Sequence, residues 1–140
     1  MGGSDRPVTV THEREREMKF VISMYINPAV LDALTEEERQ AIGEGHGRFM
    51  DSLKESGEFI LTQALVDPSQ AAVVSVRNGQ PAVTDGPFLE AKEHVGGFYL
   101  VDVETKERAL ELAAQIPDAA IPGLGIEVRQ VMFFDGSLEP

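Results

Sequence analysis

Cysteine is absent from the chain. That excludes a disulfide framework, a thiolate metal site and a thiol nucleophile. Cations are scarce as well: 12 Lys and Arg stand against 24 Asp and Glu, for a formal charge of -12 at pH 7. A surface of this sign repels phosphate backbones and anionic bilayers. The cations are scattered, nearly always beside an acid, so no basic patch offsets the repulsion. Neither a nucleic-acid nor a membrane partner is expected. No apolar run approaches the ~20 residues needed to cross a bilayer, and the first residues lack the apolar core of a signal peptide. The expectation is a soluble, cytoplasmic protein. Motifs are missing too. His12, His46 and His94 form no HxxxH or HxH pair, so no metal site is expected. There is no phosphate-cradling glycine loop and no serine-hydrolase elbow. Nothing calls for a cofactor.

What is present is the composition of a globular domain: 42% hydrophobic and 26% charged residues in a chain of 140, long enough for a hydrophobic core. Residues 1–17 are polar, end in an alternating charge string and are expected to be a flexible tail. The domain is expected over residues 18–134, with a short C-terminal tail at 135–140. Residues 19–26 alternate Phe20, Ile22, Met24 and Ile26 against Lys19, Val21, Ser23 and Tyr25, the period of a strand. Residues 29–34 suggest a short helical turn. Thr35 and Glu38 have capping-box spacing and open a helix running to about residue 55, stopped at Ser56-Gly57. Its apolar positions are Ile42, Phe49, Met50 and Leu53, and His46 projects from the same face. Gly43, Gly45 and Gly47 weaken this helix by roughly 0.8–1 kcal/mol each relative to Ala, and so point to a close approach of backbone, ligand or another subunit.

Strands follow at 59–66 and 71–77. Asn78-Gly79 suits a tight hairpin turn, and the returning strand at 80–84 contains Pro81, which places it at an edge. A charged loop leads to a strand at 97–103. A second helix begins at Thr105 and closes at Pro117, and residues 118–125 form a loop. The last strand is expected over 126–133. The order is strand, helix, strand, hairpin, strand, helix, strand. That is an α+β chain of the split βαβ, ferredoxin-like βαββαβ type with an inserted β-hairpin. Apolar residues occupy both parities of the first strand and of the strand at 97–103, yet two helices cover only one face. A homodimer that stacks the two sheets would cover the other.

Residues 83–97, VTDGPFLEAKEHVGG, are the most distinctive stretch. Together with Phe98-Tyr99 and Glu127-Val128-Arg129 they give the chain its likeness: it resembles the DGPF-type branch of the YCII-related proteins over residues 18–132. The resemblance implies a ferredoxin-like fold that dimerises as an α/β barrel, a bacterial origin, and a genomic link to extracytoplasmic-function sigma factors. Gln130 stands where that branch usually has proline, and Leu89 replaces a small residue after Phe88. In the wider group a first-helix histidine and an aspartate are candidate catalytic partners. His46 occupies the corresponding helical place, and Asp85 is taken for the aspartate.

Each candidate carries two readings. His46 is either a general acid–base or a core histidine with both nitrogens satisfied. Asp85 is either a general base or an orienter of His46, or else an Asx-turn residue before Gly86-Pro87. Lys92, with Glu90 beside it and Phe88 at the loop end, either binds a small anionic ligand or sits among solvated ion pairs. Arg129 either joins them or makes a surface or dimer-rim pair. Two functions follow, beside a third possibility of a purely structural dimer tied together by the loop residues. One is a cofactor-independent lyase or isomerase using His46 and Asp85. The other is a non-catalytic ligand- or protein-binding module, for instance an accessory to a sigma factor.

Overall fold

The computed structural model describes residues 18–88 and 92–136. Among the described residues there are six strands: β1 (Met18–Ile26), β2 (Phe59–Ala64), β3 (Ala72–Arg77), β4 (Gln80–Asp85), β5 (His94–Val103) and β6 (Gly125–Gln130). Three α-helices accompany them: α1 (Pro28–Asp32), α2 (Glu36–Ser56) and α3 (Lys106–Ala114). Four strands form one sheet in the order β2-β5-β1-β6, with every neighbouring pair antiparallel. A mixed α+β domain consistent with the ferredoxin-like arrangement results. β3 and β4 pair separately as a two-stranded sheet, turning at Asn78 (φ 52°) and Gly79 (φ 74°), the left-handed pair that a two-residue hairpin turn requires.

Local chemistry accounts for the helix ends. Asn27 caps α1 by accepting from the Ala29 amide at 3.0 Å. In α2 the capping box closes in both directions: Glu38 N–H donates to Thr35 Oγ1 at 3.0 Å, and Thr35 N–H donates to Glu38 Oε1 at 2.8 Å. Gly57 ends the helix at φ 80°, a conformation that a Cβ disfavours. Thr105 caps α3 through the Arg108 amide.

The core lies between the sheet and the helices. Phe20, Ile22 and Met24 of β1 meet Tyr99, Val101 and Val103 of β5, closed over by Phe49 and Leu53 of α2 and by Leu112 and Ile116 at the end of α3. The opposite parity of the sheet carries Val21, Tyr25, Phe98 and Leu100 and has no helix of its own. Three strand ends differ from the sequence reading by two residues or more. β2 stops at Ala64, β6 stops at Gln130, and β5 begins at His94, so His94, Val95 and Gly96 belong to a strand rather than to the charged loop. The pairing of β5 slips by one residue at Gly96, between Met24↔Gly97 and Tyr25↔Val95, a bulge that lengthens the strand without breaking it. A Cβ on Gly97 would stand 2.5 Å from the Gln63 carbonyl oxygen, so only glycine lets β2 come this close. Among the described residues no helix is long and apolar enough to cross a membrane.

Candidate functional site

Three residues far apart in the sequence converge at one end of the core. His46 projects from the middle of α2. Tyr99 rises from the centre of β5, its ring fixed edge-on by Phe49 with centroids 4.9 Å apart and planes at 84°. Asp118 comes from the 3-10 turn Pro117–Ala120 that follows α3. His46 Nδ1 lies 2.6 Å from the Tyr99 hydroxyl, and Nε2 lies 2.8 Å from Asp118 Oδ1. The imidazole is thus held at both nitrogens, with its plane within 10° of the phenol ring.

Gly45 makes this approach possible. A Cβ there would lie 2.6 Å from Pro117 Cγ, whereas one on Gly43 or Gly47 would meet nothing within 4 Å. Of the three helical glycines, then, one is explained by close approach, that of the Pro117 ring: it seats the turn carrying Asp118 against α2.

The donor pattern follows from chemistry. A carboxylate only accepts, so in the neutral ring Nε2 carries the proton toward Asp118, Nδ1 is the acceptor, and Tyr99 O–H donates to it. Burial, and then the nearby negative charge of Asp118, push the Tyr99 hydroxyl up to about 12, which keeps it protonated and able to donate. Both Tyr99 and Asp118 are buried, at 2% and 7% exposure. The His46 side chain remains 21% exposed. That exposure opens onto a cavity of about 340 Å³ lined by the three residues together with Met24, Ile26, Met50, Ala64 and the Gly96-Gly97 bulge. The volume is at the small end of the range for ligand sites.

Of the other residues singled out from the sequence, those that are described lie elsewhere. Asp85 is the exposed last residue of β4. It does not pair with His46, since both ring nitrogens are occupied by Tyr99 and Asp118. The carboxylate partner of His46 is Asp118. The physical reason is topological: Asp85 travels with the separate β3–β4 hairpin, while Asp118 is carried back to α2 by the α3 crossover. Phe88 is 81% exposed, and Lys92 is exposed. Glu90 lies outside the described residues. Arg129 pairs with Glu127 on its own strand at 3.3 Å, with its side chain 77% exposed. None of Asp85, Phe88, Lys92 and Arg129 lines the cavity. Among the described residues no three His, Asp or Glu side chains gather as metal donors.

Two site residues were missed by sequence reasoning, and each left a faint signal. Tyr99 shares the inward parity of Val101 and Val103, and a buried phenol needs a hydrogen-bond partner. Asp118 follows Ile116-Pro117 where the chain leaves a helix, a place where an acid is as readily a solvated cap.

The YCII-related domain model matches residues 18–135, most of the chain. The chain belongs to the YCII-related family. It is also similar, at 28% identity over 117 residues, to a Rhizobium meliloti (strain 1021) protein named "Uncharacterized protein R00369"; the matched region covers 84% of this chain and 94% of that one. Neither comparison carries a reaction. What this YCII-related domain can do is therefore argued from the Tyr99–His46–Asp118 geometry.

Proposed function

We propose that this YCII-related protein is a cofactor-free acid–base catalyst, a lyase or isomerase acting on a small molecule in the His46 cavity. The single observation that carries this reading is a buried carboxylate 2.8 Å from an imidazole that itself opens onto an apolar cavity. A carboxylate so placed fixes the tautomer and stabilises the imidazolium that forms when the ring accepts a proton. Nδ1 is the ring atom able to take that proton, and the Tyr99 hydroxyl stands on it. The proton therefore reaches the ring through or beside that hydroxyl, and Tyr99 turns from donor to acceptor as the imidazolium forms. Returning the proton to a different atom of the same molecule is isomerisation. Returning it to a departing group is elimination.

Deuterium incorporation from heavy water into phenylacetone, an uncharged carbon acid, tests the chemistry. The wild-type protein accelerates exchange at the benzylic carbon, and His46→Gln removes the acceleration while circular dichroism stays unchanged. Exchange that is no faster than buffer, or that survives His46→Gln, contradicts the reading.

We propose further that the protein works as a homodimer. What supports this is the sheet face bearing the half-buried Val21, Tyr25 and Phe98, which no helix covers among the described residues. The hairpin arm adds Val74, Val76 and Val83, each more than 60% exposed. A two-stranded arm is marginal when it stands alone in water, and a second protomer is the simplest cover for it.

A further inference from the structure

We infer that the His46 cavity selects uncharged or cationic compact molecules and rejects carboxylates and phosphates, an inference resting on the reading of this cavity as the substrate site. Its wall is largely hydrocarbon, contributed by Met24, Ile26, Met50 and Ala64. Among the described lining residues there is no Lys and no Arg, and the one formally charged group is Asp118, placed 2.8 Å from the ring. The Thr62 hydroxyl, also in the wall, donates to the Phe98 carbonyl at 2.8 Å and is committed there. An anion entering this space would be stripped of water beside a carboxylate, with no counter-charge to receive it. Protonation of His46 does not remedy this. The imidazolium is already neutralised by Asp118, so the pair as a unit offers no net positive charge. The sequence reading placed an anion on Lys92; that side chain is exposed and is not part of the wall.

Size sets a second limit. At roughly 30 Å³ of liquid volume per water, the cavity of about 340 Å³ has room for a one-ring molecule with a short substituent. An uncharged body with one polar end fits both limits: the apolar part lies against the two methionines, and the polar end meets His46 and Asp118.

Benzamide, benzoate and benzamidine are nearly equal in shape and differ in charge, which makes them the probes. They are titrated at neutral pH into the full-length protein, reading the methyl resonances of Met24 and Met50. Benzamide is expected to move both methyls at a concentration at least ~10-fold below that at which benzoate does, with benzamidine no weaker than benzamide. Asp118→Asn narrows the gap between benzamide and benzoate. Benzoate binding as well as benzamide overturns the inference, and so does benzamide leaving both methyls unmoved. The wild-type order alone decides the matter if Asp118→Asn fails to fold. His46→Gln separates this inference from the acid–base reading. A charge-blind cavity with His46-dependent exchange sinks the selectivity alone. Charge selection with His46-independent exchange sinks the chemistry alone.

Discussion

At the scale of single residues, the three glycines of α2 divide by what surrounds them. Gly43 and Gly47 face open space, so Gly43→Ala and Gly47→Ala should each stabilise the fold by about 0.8–1 kcal/mol through helix propensity. Gly45→Ala gains the same propensity but drives a methyl to 2.6 Å from Pro117 Cγ. Overpacking of that kind typically costs ~1–3 kcal/mol, so a net loss in urea denaturation is expected, with the Asp118 turn displaced from His46. Equal stabilisation by all three substitutions would show that the contact does not matter. Tyr99 gives a second prediction. Its hydroxyl ionises near 10 in the unfolded chain and at about 12 in the folded one, so the folded state holds that proton more tightly. The resulting stability is complete below pH 10 and is lost as the pH climbs from 10 to about 12. Phenolate absorbance should show a late titration step that Tyr99→Phe removes; the lack of such a step in the wild type would contradict it. His46 itself was legible in the sequence, because its spacing from Ile42, Phe49 and Met50 places it on the inward face. Its partners were not. They stand 53 and 72 positions away, and linear spacing says nothing about which loop a crossover returns to a helix.

Among the elements, α3 is joined to the α2–β2 connection by an ion pair between the half-exposed Arg108 and the buried Glu58. Arg108 grips Glu58 with two parallel bonds, Nε to Oε2 at 2.8 Å and Nη2 to Oε1 at 2.9 Å. Ser56 Oγ donates to the same carboxylate at 2.7 Å. Glu58 is 7% exposed, and its carboxylate, followed by that of Glu111, raises the Arg108 guanidinium further above its ordinary range. Removing the cation takes two charge-assisted bonds from a desolvated carboxylate, so Arg108→Ala should lower stability by about 1–3 kcal/mol. An unchanged urea midpoint would show that the pair is solvated in solution. Signals carried by adjacent residues were read correctly here. The Thr35–Glu38 box, the Asn78-Gly79 turn and the alternation of β1 each depend on spacings of two to four residues. Strand ends were less legible. Val131, Met132 and Phe133 continue an apolar run beyond Gln130, yet pairing with β1 ends at Phe20↔Gln130, apart from one bond from Val131 N–H to the Lys19 carbonyl.

For the whole molecule, the proposed dimer and the described cavity make separable claims. Light scattering should give twice the protomer mass, and Val74→Glu on the hairpin arm should shift it toward a single protomer, because a charge on an apolar face opposes its burial. A monodisperse single protomer in the wild type would leave the arm unexplained and remove the dimer. The acid–base site would survive that result, since its three residues come from one chain. What the account cannot survive is a different arrangement around His46. The nitrogen shifts of that ring, measured in labelled full-length protein, test it most directly. In the neutral ring Nε2 should carry the proton and Nδ1 should be bare and hydrogen-bonded, with Tyr99→Phe moving the Nδ1 resonance and Asp118→Asn moving Nε2. A proton on Nδ1 with Nε2 bare, or resonances that neither substitution moves, would contradict the account.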